Sequence, residues 1–307
     1  MSLKAKRLLA IAGPTASGKT NIAIDIALDN KMEIVSADSM QVYKYMDIGT
    51  AKPSANERKK VKHYMIDLVE PDIDYTVSDF CDDSANAIAQ IEQNKKTPLI
   101  CGGTGFYLNA LINGTFNTPP SDPAIRKKLE PRAEDKIELY KMHEELKNID
   151  PTTAARIHPN DKYRIIRALE VYYITGNTMS HYRNAHDSAK KEKNSLMIVL
   201  NPDKEELLRN IKERTIKMVK TGLIEEVKTL LAKGYSPSLK PFKSIGYLQA
   251  VRFIQDEISM KELNEDIIKQ TAALAKRQLT WFKKQKNTLW LHPVKDLAKI
   301  REVGKTC

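Results

Sequence analysis

The stretch GPTASGKT, Gly13 to Thr20, constrains this chain more than any other part of it. It fits the phosphate-cradling pattern GxxxxGK[ST], and its flanks are those the pattern requires. Leu8 to Ala12 is a short apolar run that reads as a buried strand, and Asn21 to Leu28 continues as a helix. Gly13 and Gly18 free the backbone to turn N–H groups toward an anion, where the helix dipole adds positive charge. Lys19 is set to reach the terminal phosphates, and the Thr20 hydroxyl to hold a magnesium ion. The motif alone specifies neither the phosphate compound nor whether a phosphoryl group moves.

Beyond this loop, β and α patterns alternate. Met32 to Met40 reads as a second strand ending in a functional loop, and His63 to Pro71 as a third. Thr76 to Asn94 reads as an amphipathic helix, and Thr97 to Gly105 as a fourth strand entering a glycine-rich turn. At Thr118 to Pro123 (TPPSDP) the pattern breaks, and charged helical segments run to about Ser188 with no convincing strand. Ser195 to Pro202 restores a strand, and long helices are expected over Lys204 to Lys233 and Met260 to Lys286. The expected fold is α/β, a P-loop NTPase-like parallel sheet flanked by helices, with an inserted all-helical domain. Its parts are a core over 1–117, an insertion over 118–190 and the resumed core over 191–307, with KKEKN at Lys190 to Asn194 as a hinge.

A length of 307 residues accommodates such a core and insertion. The net charge of +11 points either to an anionic partner larger than a nucleotide or to a basic solvated surface. Cys81, Cys101 and Cys307 have no metal-ligand spacing and form no disulfide framework, which fits a reducing cytoplasm. The N-terminal apolar run ends in the phosphate loop rather than a cleavage site, and no apolar segment approaches the roughly 20 residues that span a bilayer. A soluble protein is expected.

Asp38 and Ser39 stand at the end of the second strand, where parallel sheets bind ligands. Asp38 is a candidate base and equally an N-cap or turn aspartate. Thr104, in the GGTG turn, could face the same pocket. YRIIRALEVY (Tyr163 to Tyr172) spaces Arg164 and Arg167 at i and i+3, and RQLTWFKKQK (Arg277 to Lys286) mixes basic and aromatic residues. Both suit a nucleic-acid backbone, and both are also ordinary amphipathic helices. Trp281 and Phe282 read as core, and His63 and His158 as structural histidines.

Taken together, GPTASGKT, SADSMQVYKYMDIGTAKP, CGGTGFYLNAL, NDKYRIIRALEVY, SIGYLQA and AALAKRQLTWFKKQ resemble the successive motifs of the tRNA dimethylallyltransferases, in family order from residue 13 to about 290. The DIGTAKP extension, Asp47 to Pro53, is especially specific. The resemblance implies a dimethylallyl diphosphate donor, N6 of adenosine-37 in the anticodon stem-loop of tRNA as acceptor, and a magnesium requirement. It implies that Asp38 is the general base and that Thr104 lies near the target adenine. Gly13, Thr15, Ala16, Ser17, Gly18, Lys19, Thr20 and Arg214 then hold the diphosphate. By the same matching, Asp38, Ser39, Met40, Gln41, Thr104 and Arg126 contact tRNA, as do Tyr163, Arg164, Ile165, Ile166 and Arg167, and Lys243, Ser244, Ile245, Gly246, Tyr247 and Leu248. The likeness is to the compact bacterial form, expected to be monomeric with no membrane or obligate protein partner. Three rival readings are a small-metabolite P-loop kinase, an isopentenyltransferase for free adenine nucleotides and a non-catalytic RNA-binding protein.

Overall fold

A computed structural model describes residues 7–189 and 194–306. Of the hinge expected at 190–194 only Asn194 is among them, and Cys307 lies outside. The chain divides into two compact units, Met1–Ile112 with Lys193–Cys307, and Asn113–Glu192.

The first unit is a parallel sheet clothed in helices. β1 (Leu8–Ala12) leads through the glycine loop into α1 (Lys19–Asp29), and β2 (Met32–Ser36) follows. Next come α2 (Ala55–Lys60), β3 (His63–Tyr64), α3 (Val77–Gln93), β4 (Thr97–Gly102) and α4 (Gly105–Asn113). Thr76 opens α3 with a reciprocal capping box to Asp79, which fixes its start. Continuous apolar runs such as LLAIA are buried on both faces, as strands covered by helices require.

The second unit holds α5 (Pro123–Glu134), α6 (Lys136–Ile149), α7 (Pro151–Ala154), α8 (Lys162–Thr175) and α9 (Met179–Ala189). It begins ahead of the Thr118 to Pro123 break. Its own core gathers Leu129, Met142, Leu146, Ile165 and Leu169, so its helices bury an apolar face independently of the sheet.

The first unit resumes with β5 (Ser195–Leu200), α10 (Lys204–Lys220), α11 (Leu223–Ala232), a 3-10 turn (Lys240–Lys243), α12 (Tyr247–Ile254), α13 (Met260–Phe282), β6 (Thr288–Leu291) and α14 (Leu297–Lys305). The six strands lie in the order β3-β2-β4-β1-β5-β6, all parallel. The glycine loop therefore leaves the middle of the sheet, where connections diverge to either side and ligands bind in such folds.

Two of the expected elements differ from the structure, and one strand was not expected. The third strand covers only His63–Tyr64, because Met65 and Asp67 take left-handed φ of 66° and 57° and turn the chain out of the sheet. The second strand stops at Ser36 and gives way, as expected, to a loop carrying Asp38 to Met40. The helix expected over Lys204 to Lys233 is two helices, broken at Gly222 with φ 114°. β6, at the sheet edge beside β5, was not anticipated. Among the described residues no helix is long and apolar enough to cross a membrane.

Candidate active site

The phosphate loop is shaped before any ligand is considered. Ala16 and Gly18 both adopt left-handed φ, 64° and 81°, and a Cβ at Gly13 would lie 2.8 Å from Ser17 Oγ and 2.9 Å from the Leu200 carbonyl. Among the described residues the buried Ser17 hydroxyl has no hydrogen-bond partner, so the loop encloses polarity that its surroundings do not satisfy. Lys19 donates to the Pro14 carbonyl at 3.3 Å. Burial pushes its pKa down, Arg214 adds to that, and the charges of Cys101 and Asp38 oppose it.

Arg214, from α10, donates to Thr15 Oγ1 at 3.0 Å. Burial lowers its pKa too, with Asp38 pulling it back. Two half-buried cations thus lie in the field of the Asp38 carboxylate, a setting that suits an anion.

The loop after β2 is strapped to the glycine turn after β4. Thr104 N donates to the Ala37 carbonyl at 3.2 Å, and Ser39 N donates to Thr104 Oγ1 at 3.1 Å. Asp38 Oδ1 accepts from Met40 N at 2.9 Å, an Asx turn that holds the carboxylate in place. Among the described residues its second oxygen has no hydrogen-bond partner. Thr20, Ser36, Asp38, Gln41, His63 and Cys101 share one cleft with Lys19. Burial raises the Cys101 thiol to about 11, so it stays protonated.

Gln278 was not singled out from the sequence. From α13 its Oε1 accepts from Thr15 N at 2.8 Å while its Nε2 donates to the Gly103 carbonyl at 2.8 Å. One amide therefore braces the phosphate loop against the turn that carries Thr104. Membership of the AALAKRQLTWFKKQ motif was its sole sequence signal. Phe282 is fully buried and Trp281 packs against the same core, as expected.

The residues matched to tRNA contacts divide by exposure. In the helical unit Tyr163 is 75% exposed and the Arg164 side chain 72%, with Arg164 paired to Asp161 at 2.6 Å. Ile165 and Ile166 are corrected to core residues, since α8 turns them inward at 0% and 6% exposure. Arg126 and Arg167 instead close on the buried Glu170 at 2.9 and 2.6 Å. Burial alone would raise the Glu170 pKa, but hydrogen bonds from Arg126 and Arg167 hold it below the usual range. In the sheet unit Lys243 and Leu248 are exposed and Ser244 partly so, whereas Gly246 and Tyr247 are buried and Ile245 packs on the core. Tyr247 therefore cannot reach a macromolecule, its hydroxyl being bound to Glu226 at 2.6 Å. Gln41 is likewise turned inward and accepts from Ser36 Oγ.

Asp203, Glu206 and His292 form another polar group. Lys295 already neutralises Asp203 at 2.6 Å, and His292 Nδ1 accepts the Val294 and Lys295 amides. These contacts make it an ion-paired surface cluster.

Comparison with known proteins adds to this geometry. Residues 41–285 match the family model described as IPP transferase. The tRNA dimethylallyltransferase of Geobacter metallireducens is 42% identical over 285 residues, covering 93% of this chain and 92% of that protein. The full-length tRNA isopentenylpyrophosphate transferase of Bacillus halodurans superposes with a TM-score of 0.70 at 35% identity, covering 98% of this chain and 95% of that one. A eukaryotic dimethylallyltransferase acting on tRNA gives a TM-score of 0.81 at 28% identity, over 97% of this chain and 78% of that one.

Proposed function

The chain belongs to the IPP transferase family of tRNA-modifying enzymes, and from that premise we propose how its residues divide the work. The enzyme transfers a dimethylallyl group to tRNA. Its donor is dimethylallyl diphosphate, and its acceptor is N6 of adenosine-37.

The observation that carries this reading is the placement of two half-buried cations, Lys19 and Arg214, on the phosphate loop, with the Asp38 carboxylate in the same cleft as Lys19. That field suits a leaving diphosphate on one side and a departing proton on the other. N6 attacks C1 of the dimethylallyl group as the C1–O bond to diphosphate breaks. The bonding pair leaves with the oxygen, and the N6 proton passes to the Asp38 carboxylate. Lys19, Arg214 and the loop N–H groups stabilise charge that grows on the diphosphate, so their effect is greatest in the transition state. No phosphoryl group moves.

Thr20 borders the cleft with Lys19, and its hard hydroxyl oxygen suits magnesium. Bound there, the ion would supply further positive charge for the diphosphate. Thr104, anchored through Ser39, lies on the acceptor side. Adenosine-37 must leave its stack to reach Asp38, at a cost of roughly a few kcal/mol, which contacts with the exposed Tyr163, Arg164 and Lys243 offset.

The test is incubation of labelled dimethylallyl diphosphate and magnesium with a tRNA bearing A36-A37-A38, with AMP or ADP, and with no acceptor. Label is expected in tRNA alone. Transfer to AMP in its place would make the chain a free-nucleotide enzyme. Asp38→Ala is expected to lose about 10²- to 10⁴-fold in single-turnover rate while keeping most tRNA affinity. An undiminished rate in that variant removes Asp38 from the base role.

A further inference from the structure

The loop that begins at Asp38 is held from far along the chain by one carboxylate. Asp47, Ile48 and Gly49 turn three successive backbone N–H groups to one side, and Glu226 of α11 accepts all three. Its Oε2 takes those of Asp47 and Ile48 at 2.9 and 2.7 Å, and its Oε1 that of Gly49 at 3.1 Å. Oε1 also accepts the Tyr247 hydroxyl at 2.6 Å. Four donors match the roughly four lone-pair sites of an ionised carboxylate.

Successive N–H groups of this kind form an anion-binding concavity. Here the anion is the protein's own side chain. Tyr247 is 0% exposed and its ring lies where a Cβ on Gly49 would have to go. Burial and the Glu226 charge push the phenol pKa far up, so it remains a donor.

Neighbouring contacts extend the junction. Lys52, whose side chain is 1% exposed, bridges Asp47 and Asp67 at 2.6 Å each and donates to the Tyr43 carbonyl. Glu70 accepts from both Lys44 and Tyr235, and Lys233 lies over the Tyr45 ring. The loop is therefore tied at its start to Thr104 through Ser39, and farther on to the segment that carries α11 and α12.

We propose that Glu226 is a positioning residue for the acceptor. By filling the nest at Asp47 to Gly49 it couples the loop bearing Asp38 to the segment that runs from Lys243 into the start of α12 at Leu248, so that both acceptor-side edges keep one geometry. The donor loop is held by a different brace, Gln278. Glu226 touches no reacting atom. Its role rests on the assignment of Asp38 and of the 243–248 segment to the acceptor side.

Steady-state constants for both substrates test this in wild type, Glu226→Gln and Glu226→Asp. Glu226→Gln sets an NH₂ against backbone N–H groups, and the KM for tRNA is expected to rise roughly tenfold with a smaller fall in kcat, while the KM for dimethylallyl diphosphate stays within about twofold. Glu226→Asp keeps the charge and should recover part of the loss. If Glu226→Gln yields no folded protein, the same constants are read on Tyr247→Phe, which removes one donor and should shift the tRNA constants alone, by less. Equal losses for donor and tRNA, or unchanged constants in these variants, overturn the proposal. Absence of tRNA transfer by wild type overturns the functional reading and this role with it.

Discussion

Arginine does opposite work in the two units. In the sheet unit, Arg214 has one hydrogen-bond partner among the described residues, the neutral Thr15 hydroxyl, and burial lowers its pKa. In the helical unit, Arg126 and Arg167 both close on Glu170, whose side chain is 0% exposed. Both arrangements desolvate charge, yet among the described residues only the second closes a direct ion pair, Asp38 acting on Arg214 without a hydrogen bond. A cation with no direct ion-pair partner holds affinity in reserve for a ligand, whereas a closed triad fastens helices. A net charge of +11 cannot tell these apart.

The largest test of this contrast is Arg214→Gln. Losing a charge aimed at the diphosphate should cost about 10²- to 10³-fold in kcat. The melting temperature should hold or rise, because the wild-type fold bears the cost of burying that cation. Kinetics and calorimetry on one preparation decide it. Intact turnover with a lowered melting temperature would make Arg214 a fastener and dissolve the contrast.

Glu170→Gln should do the reverse, leaving the single-turnover rate at saturating tRNA nearly unchanged while destabilising the helical unit by about 3 kcal/mol, since two partly buried guanidinium groups lose their anion. Acid should act in the same way. The folded pKa of Glu170 is depressed, so its contribution is fully present above the unfolded carboxyl value and is lost as pH falls through the lower folded value. Hydrogen-exchange protection in α5 and α8 should therefore decline from roughly pH 4 downward in wild type. A variant Glu170→Gln that exchanges as slowly as wild type at neutral pH would sink the fastener reading.

The same contrast explains what could be read from the chain. Central strands were legible because a strand covered on both faces is an unbroken apolar run, as in LLAIA and SLMIVL. β6 was not, being four residues long and mostly half-buried at an edge. Gly13 to Thr20, Asp38 and Thr104 could be proposed from local motifs, whereas Arg214, one basic residue on a charged helix, came only with the family resemblance. Gln278 and Glu226 were missed because each reaches across the fold to backbone groups, and a bond to a backbone N–H leaves no spacing pattern. YRIIR misled in the other direction. Read as a contact segment, it is split by the helix, with Ile165 and Ile166 in the core and Arg167 on Glu170.

That split yields the smallest effect and the finest test. Among the described residues Arg164 has one ion-pair partner, the i,i+3 Asp161, and such pairs dissociate at little cost, so its guanidinium is free to meet a phosphate. Arg164→Ala should therefore weaken tRNA binding modestly, reduce the slope of log K against log salt by about 1, and leave the melting temperature alone. Arg167→Ala should lower the melting temperature and leave that slope nearly intact, because its charge is already spent on Glu170. Titrating labelled tRNA between about 50 and 200 mM salt separates the two. If Arg167→Ala were the variant that flattened the slope, the triad would have to open on tRNA, and the division between reserved and fastened arginines would fail in the helical unit.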